Sequence, residues 1–125
     1  MIADLQYLVL DCPEPAEPAA FYRSLLGGTV DQPDPRWVLS DARATLHTAS
    51  GVVLAFQRVT PYRSPAWPGP ARPQQFHLDF GVADQDRAEE QMPAREAAVL
   101  DSGEGGRGWR ICADPAVHPF CLVRH

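Results

Sequence analysis

Apolar and polar residues alternate along Gln74-Gln75-Phe76-His77-Leu78-Asp79-Phe80-Gly81-Val82, with Phe76, Leu78 and Phe80 in one row and Gln75, His77 and Asp79 in the other. A period of two predicts a half-buried strand over 75–82, which puts an imidazole and a carboxylate on one polar face. An earlier apolar run at 5–12, with β-branched Val9, closes at Cys12-Pro13-Glu14-Pro15 and predicts a strand whose exit is set by prolines that cannot continue a ladder. Over 15–26, Ala19, Phe21 or Tyr22, Leu25 and Leu26 fall near helical spacing, and Gly27-Gly28 supplies the left-handed residue that ends such a helix. Short strands are expected at 37–39, 44–48 and 52–59, parted by the turn signals Ser40-Asp41 and Ser50-Gly51.

Pro61, Pro65, Pro68, Pro70 and Pro73 then crowd 60–73 around Tyr62 and Trp67, predicting a stiff, extended connector. Beyond it the pattern predicts a helix over 84–98 and strands near Val99, at 109–113 and at 119–124. Pro93 should kink or break that helix, because it lacks a backbone donor and clashes with the preceding turn.

The two halves overlay. At an offset of 70, Leu8 and Leu10 fall on Leu78 and Phe80, Glu14 on Asp84 and Val30 on Leu100; at an offset of 66, Leu54-Ala55-Phe56 falls on Phe120-Cys121-Leu122. The expected fold is α+β: two tandem βαβββ modules forming a curved mixed sheet around a central concavity, with helices outside. All 125 residues make one domain, with a first module at 1–62, a proline-rich connector at 63–73 and a second module at 74–125.

Charge and composition narrow the partners. A net charge of −5 and eleven basic residues, all arginine, leave no basic stripe to neutralise phosphates, so nucleic acid is not an expected partner. No apolar run reaches bilayer-spanning length, and Met1-Ile2-Ala3-Asp4 has neither the positive start nor the apolar stretch of a secretory leader. A cytoplasmic protein without membrane association is expected. Cys12, Cys112 and Cys121, odd in number and unpatterned, read as reduced and mostly buried thiols.

Four strings carry a family resemblance: Leu10-Asp11-Cys12-Pro13-Glu14-Pro15, Phe56-Gln57-Arg58-Val59, the run from Trp67-Pro68 to His77-Leu78-Asp79, and Asp114-Pro115-Ala116-Val117-His118-Pro119-Phe120-Cys121. With the duplicated pattern, they resemble the vicinal oxygen chelate superfamily of glyoxalase, bleomycin-resistance and dioxygenase proteins, and within it an actinobacterial-type glyoxalase-like group. Val117 stands where that group has glycine, which implies an altered turn. The resemblance implies metal ligands from the first and last strands of each half, at positions that here hold Tyr7, His77, Ala55 and Cys121. Only His77 is an ordinary ligand among these. A slip of one residue would offer Gln6, and Gln57 shares a strand face with Ala55, giving a candidate quartet of Gln6, Gln57, His77 and Cys121. That slip would turn Gln6 to the opposite face from its neighbours.

The expected function is therefore a glyoxalase-like small-molecule binding protein with a degenerate metal site, homodimeric by analogy, needing no cofactor. Its pocket would use His77, Gln57 and Cys121 as anchors and Trp67 and Tyr7 as apolar walls. The alternatives are a divalent-metal lyase, isomerase or dioxygenase-type enzyme, in which His77 is the catalytic candidate, and a regulatory protein with a vestigial pocket. Two other patterns carry less. Cys112, His118, Cys121 and His125 lack any Cys-x-x-Cys spacing for zinc, and Gly103-Glu104-Gly105-Gly106-Arg107-Gly108 precedes a predicted strand, so it reads as a hairpin loop instead of a dinucleotide fingerprint.

Overall fold

Helix formation in the first half starts where the prolines stop. The computed structural model describes residues 1–35, 40–103 and 107–125, and within them strand β1 (Leu8–Cys12) leads into helix α1 (Ala16–Leu26). Gly27 ends α1 by donating its N–H to the Arg23 carbonyl at 2.8 Å, at φ 71° and ψ −162°, a positive-φ conformation open essentially to glycine alone. Strands β2 (Thr29–Val30), β3 (Arg43–His47) and β4 (Val53–Arg58) complete a mixed sheet in the order β1-β4-β3-β2, with β1 and β4 parallel. The expected strand at Trp37, Val38 and Leu39 lies outside the described residues. Thr29–Val30, a two-residue strand too short to announce itself by alternation, pairs with β3 instead.

The second half repeats this order. Strand β5 (Leu78–Val82), helix α2 (Gln85–Glu90), a 3₁₀ turn (Pro93–Arg95), β6 (Ala98–Asp101), β7 (Trp109–Ala113) and β8 (Pro119–Arg124) give a sheet ordered β5-β8-β7-β6, with β5 and β8 parallel. These are two βαβββ modules of an α+β, vicinal oxygen chelate fold. The chain divides into two units, Met1–Tyr62 and Arg63–His125. No helix among the described residues is long and apolar enough to cross a membrane.

Four expectations are corrected. The helix over 84–98 stops at Glu90: Asp84 caps its start by accepting the Arg87 N–H at 3.0 Å, Pro93 opens a 3₁₀ turn, and Glu96 reverses the chain at φ 62°. Ala98 already belongs to a strand. The strands expected from 5 and 75 begin at Leu8 and Leu78, leaving Leu5 and Phe76 84% and 92% exposed, so Phe76 does not join the apolar row. The connector is folded back on itself and not extended: Arg72 donates its Nε to the Ser64 carbonyl at 2.8 Å and accepts the Ala66 N–H at 2.6 Å. Val117 keeps the turn a glycine would make, at φ 67°, so the turn is retained with strain in a β-branched residue.

Each unit has its core on the helix side of its sheet. In the first, Phe56 is fully buried and stacks on Tyr22 of α1 with ring centroids 5.7 Å apart, beside Leu46 and Leu54. In the second, Phe120 and Leu122 are buried and Phe80 meets Phe120 edge-on at 5.6 Å. Gln85 fixes α2 there, its buried Nε2 donating to the carbonyls of Leu122 at 3.0 Å and Gly108 at 2.9 Å.

Candidate functional site

Strand alternation leaves the other face of each sheet for chemistry. In the second unit Leu78 pairs with Phe120 and Phe80 with Leu122, so Asp79 and its register partner Cys121 face away from the core together. His77, just before β5, follows the same parity as Asp79. Its Nε2 lies 3.3 Å from Asp79 Oδ1, and one ligand atom each from His77, Asp79 and Cys121 lies within 4.8 Å of the others. Among the described residues this is the one group of three or more His, Cys, Asp or Glu side chains so arranged. Ile111 pairs with Cys121 across β7 and gives the cluster an apolar neighbour.

His77 and Asp79 have side chains 44% and 58% exposed, and Cys121 is half-buried. Burial, the Asp79 carboxylate charge and a hydrogen bond to that carboxylate push the Cys121 thiol up to about 11. At neutral pH this cysteine is therefore a thiol, not a nucleophile, and it donates to Asp79. The carboxylate is shared between the thiol on one side and the imidazole on the other.

The cluster also has the donor chemistry of a divalent ion. Bond lengths of about 2.0–2.3 Å put the donors of a tetrahedral site roughly 3.3–3.8 Å apart. The His77–Asp79 separation of 3.3 Å is already at that spacing, and the three ligand atoms all lie within 4.8 Å of one another. An imidazole, a carboxylate and a thiol suit such an ion, and three ligands would leave a position open.

The other sequence-predicted residues belong to different surroundings. Gln57 is half-buried on β4 between Asp11 and Arg43, and its carbonyl accepts the Cys12 thiol at 3.5 Å. Tyr7 is half-buried and Gln6 exposed, both ahead of β1. Observed β1 register puts even-numbered Gln6 in line with Leu8 and Leu10, the row shared with buried Phe56, whereas Tyr7 is in line with Val9 and Ala55. Trp67 is half-buried in the folded-back connector. Asp79 is not among the ligands that the family resemblance implies; the i, i+2 spacing from His77 is the sequence signal that places it on the same face.

The C-terminal cysteines and histidines do not assemble. Cys112 is buried in the core row, where burial first and the Glu89 charge next raise its thiol to about 11. His118 is held by the turn, its Nδ1 2.7 Å from Asp114 Oδ2 while Asp114 Oδ1 accepts the N–H groups of Ala116 and His118.

A sequence profile described as a glyoxalase-like domain matches residues 7–123. No curated protein matches the chain. Among solved structures, a hypothetical protein from S. aureus is similar over 100% of both chains at 13% identity and a TM-score of 0.69. A protein from Agrobacterium tumefaciens reaches 22% identity and a TM-score of 0.68 over 98% of each chain. The fosfomycin resistance protein FosX from Listeria monocytogenes, in a mutant form complexed with Mn(II) and 1S,2S-dihydroxypropylphosphonic acid, is 17% identical with a TM-score of 0.67, covering 100% of this chain and 94% of that one. At these identities the likeness is one of fold.

Proposed function

The chain belongs to the glyoxalase-like domain family, and on that premise we propose that it binds a small, partly apolar molecule through the sheet face that carries His77, Asp79 and Cys121. The convergence of these three side chains carries the reading, because it supplies an ionisable donor and acceptors beside apolar Ile111. Trp67, in the connector of the same unit, is the further contact this reading assigns. The protein works in the cytoplasm as a homodimer in this account, which size-exclusion chromatography with light scattering checks. A thermal-shift panel of small oxygen-rich and aromatic compounds tests the binding: stabilisation by one class that is lost in His77→Ala supports it, and a melting temperature unmoved by every compound overturns it.

One observation favours a second reading, a metal-dependent lyase, isomerase or dioxygenase-type enzyme. His77, Asp79 and Cys121 have the donor set of a divalent ion, and FosX, similar in fold, is known in complex with Mn(II) and 1S,2S-dihydroxypropylphosphonic acid. An ion there would act as a Lewis acid on neighbouring substrate oxygens. Elemental analysis of protein purified without chelator separates the readings, since stoichiometric metal that disappears in His77→Ala selects the second.

A further inference from the structure

The donor set of the second unit differs from the one that the resemblance implies. That pattern takes ligands from both halves, but the corresponding first-unit residues, Tyr7 and Ala55, give a phenol and a methyl group. In the second unit the place of a missing ligand is taken by Asp79, two residues beyond His77 on the same strand face, and the last strand offers sulfur.

We propose that His77, Asp79 and Cys121 form a mononuclear site for a thiophilic divalent cation of the zinc class, assembled by the second unit alone. The proposal rests on the metal-binding reading of this face and deepens it by naming the donors and the ion. Parallel pairing of β5 with β8 sets Asp79 directly beside Cys121, so two of the three donors are positioned by backbone hydrogen bonds. His77 sits at the start of the strand and already approaches the carboxylate to 3.3 Å. A thiolate and an imidazole favour Zn²⁺ and Co²⁺ over Mn²⁺ and Mg²⁺, which prefer oxygen ligands and rank lower in affinity for such donors. The ion preference of this chain is thus opposite to the Mn(II) found in the FosX structure.

Cobalt reports the donors without any reaction having to be known. Titrating reduced full-length protein with Co²⁺ is expected to give a near-ultraviolet thiolate-to-cobalt charge-transfer band and tetrahedral visible bands, saturating at about one ion per chain. One equivalent of Zn²⁺ should bleach them, and a roughly tenfold excess of Mn²⁺ or Mg²⁺ should not. Cys121→Ala should abolish the charge-transfer band and Cys112→Ala should keep it, while Asp79→Asn should weaken uptake by at least about tenfold. Cys121→Ser, closer in volume, repeats the test should the alanine variant fail to fold by circular dichroism.

A band that survives in Cys121→Ala, or Mn²⁺ displacing cobalt at equal concentration, overturns the proposal. Cobalt bound without any charge-transfer band overturns this donor set yet leaves the metal reading standing. Cobalt bound with the band supports the proposal whatever reaction the protein carries out.

Discussion

Tyr7, Val9 and Ala55 in the first unit stand where His77, Asp79 and Cys121 stand in the second. The ladders make the correspondence exact in register: Val9 pairs with Ala55 as Asp79 pairs with Cys121, and Leu10 pairs with Phe56 as Phe80 pairs with Leu122. On the helix side both units keep large apolar residues, whereas on the opposite face one unit carries a fully buried methyl group and the other the side chains of His77, Asp79 and Cys121. A repeated backbone therefore constrains the core, where volume must be filled, far more tightly than the second face, where chemistry is free to diverge.

The strongest challenge to this comparison is to truncate its matched core rings. Phe56→Ala and Phe120→Ala should each cost about 3–5 kcal/mol by urea denaturation. A loss below about 1 kcal/mol at either position would show that the two cores are not equivalent.

The divergent face can be probed next by giving the first unit its counterpart's sulfur. Ala55 is fully buried, so Ala55→Cys should destabilise by about 1–3 kcal/mol through overpacking. Cys121→Ala, at a half-buried position, should change the melting temperature far less. Equal effects would mean that the faces differ in composition but not in openness.

The turns before β4 and β8 sharpen the picture at smaller scale. Gly51 at φ 93° and Val117 at φ 67° occupy corresponding positions, and only glycine takes this conformation without strain. Val117→Gly is expected to raise stability by about 1 kcal/mol, and Gly51→Val to lower it by about 1–2 kcal/mol.

The last effects come from the thiols and appear only at alkaline pH. Cys112 and Cys121 are both raised from 9.0 to about 11, so the fold favours their protonated forms. The stability they contribute is present below pH 9 and is lost as pH rises from 9 towards 11, because the unfolded chain ionises first. Alkylation of Cys121 should follow the same range, with its midpoint lowered from near 11 in Asp79→Asn but held above 9 by burial, the larger cause. An unshifted midpoint in that variant would remove Asp79 from the account of this cysteine.

Much of the fold was legible because burial leaves a period in the sequence. Trp109–Ala113 and Pro119–Arg124 appear at the predicted bounds, and α1 ends at the predicted glycine. Strand starts were read too early, since Leu5 and Phe76 are apolar but unpaired, and hydrophobicity alone does not say where a ladder partner begins. Thr29–Val30 was missed because two residues carry no period. The connector was read as extended from its prolines, whose preference yields to the hydrogen bonds of Arg72. For the site, repeat position makes His77 and Cys121 candidates but does not single out Asp79, whose counterpart in the first unit is Val9.

The chain's own order of apolar and polar residues determined the duplicated βαβββ plan, the core rings and the side of the strand on which His77 and Asp79 emerge, since local alternation and spacing suffice for each. Only the tertiary structure decided that Cys121, forty-two residues after Asp79, lies beside it. Parallel strands exchange partners through a long crossover, and the register of such a pairing is set by how both strands pack against the helix, which no short stretch of sequence contains.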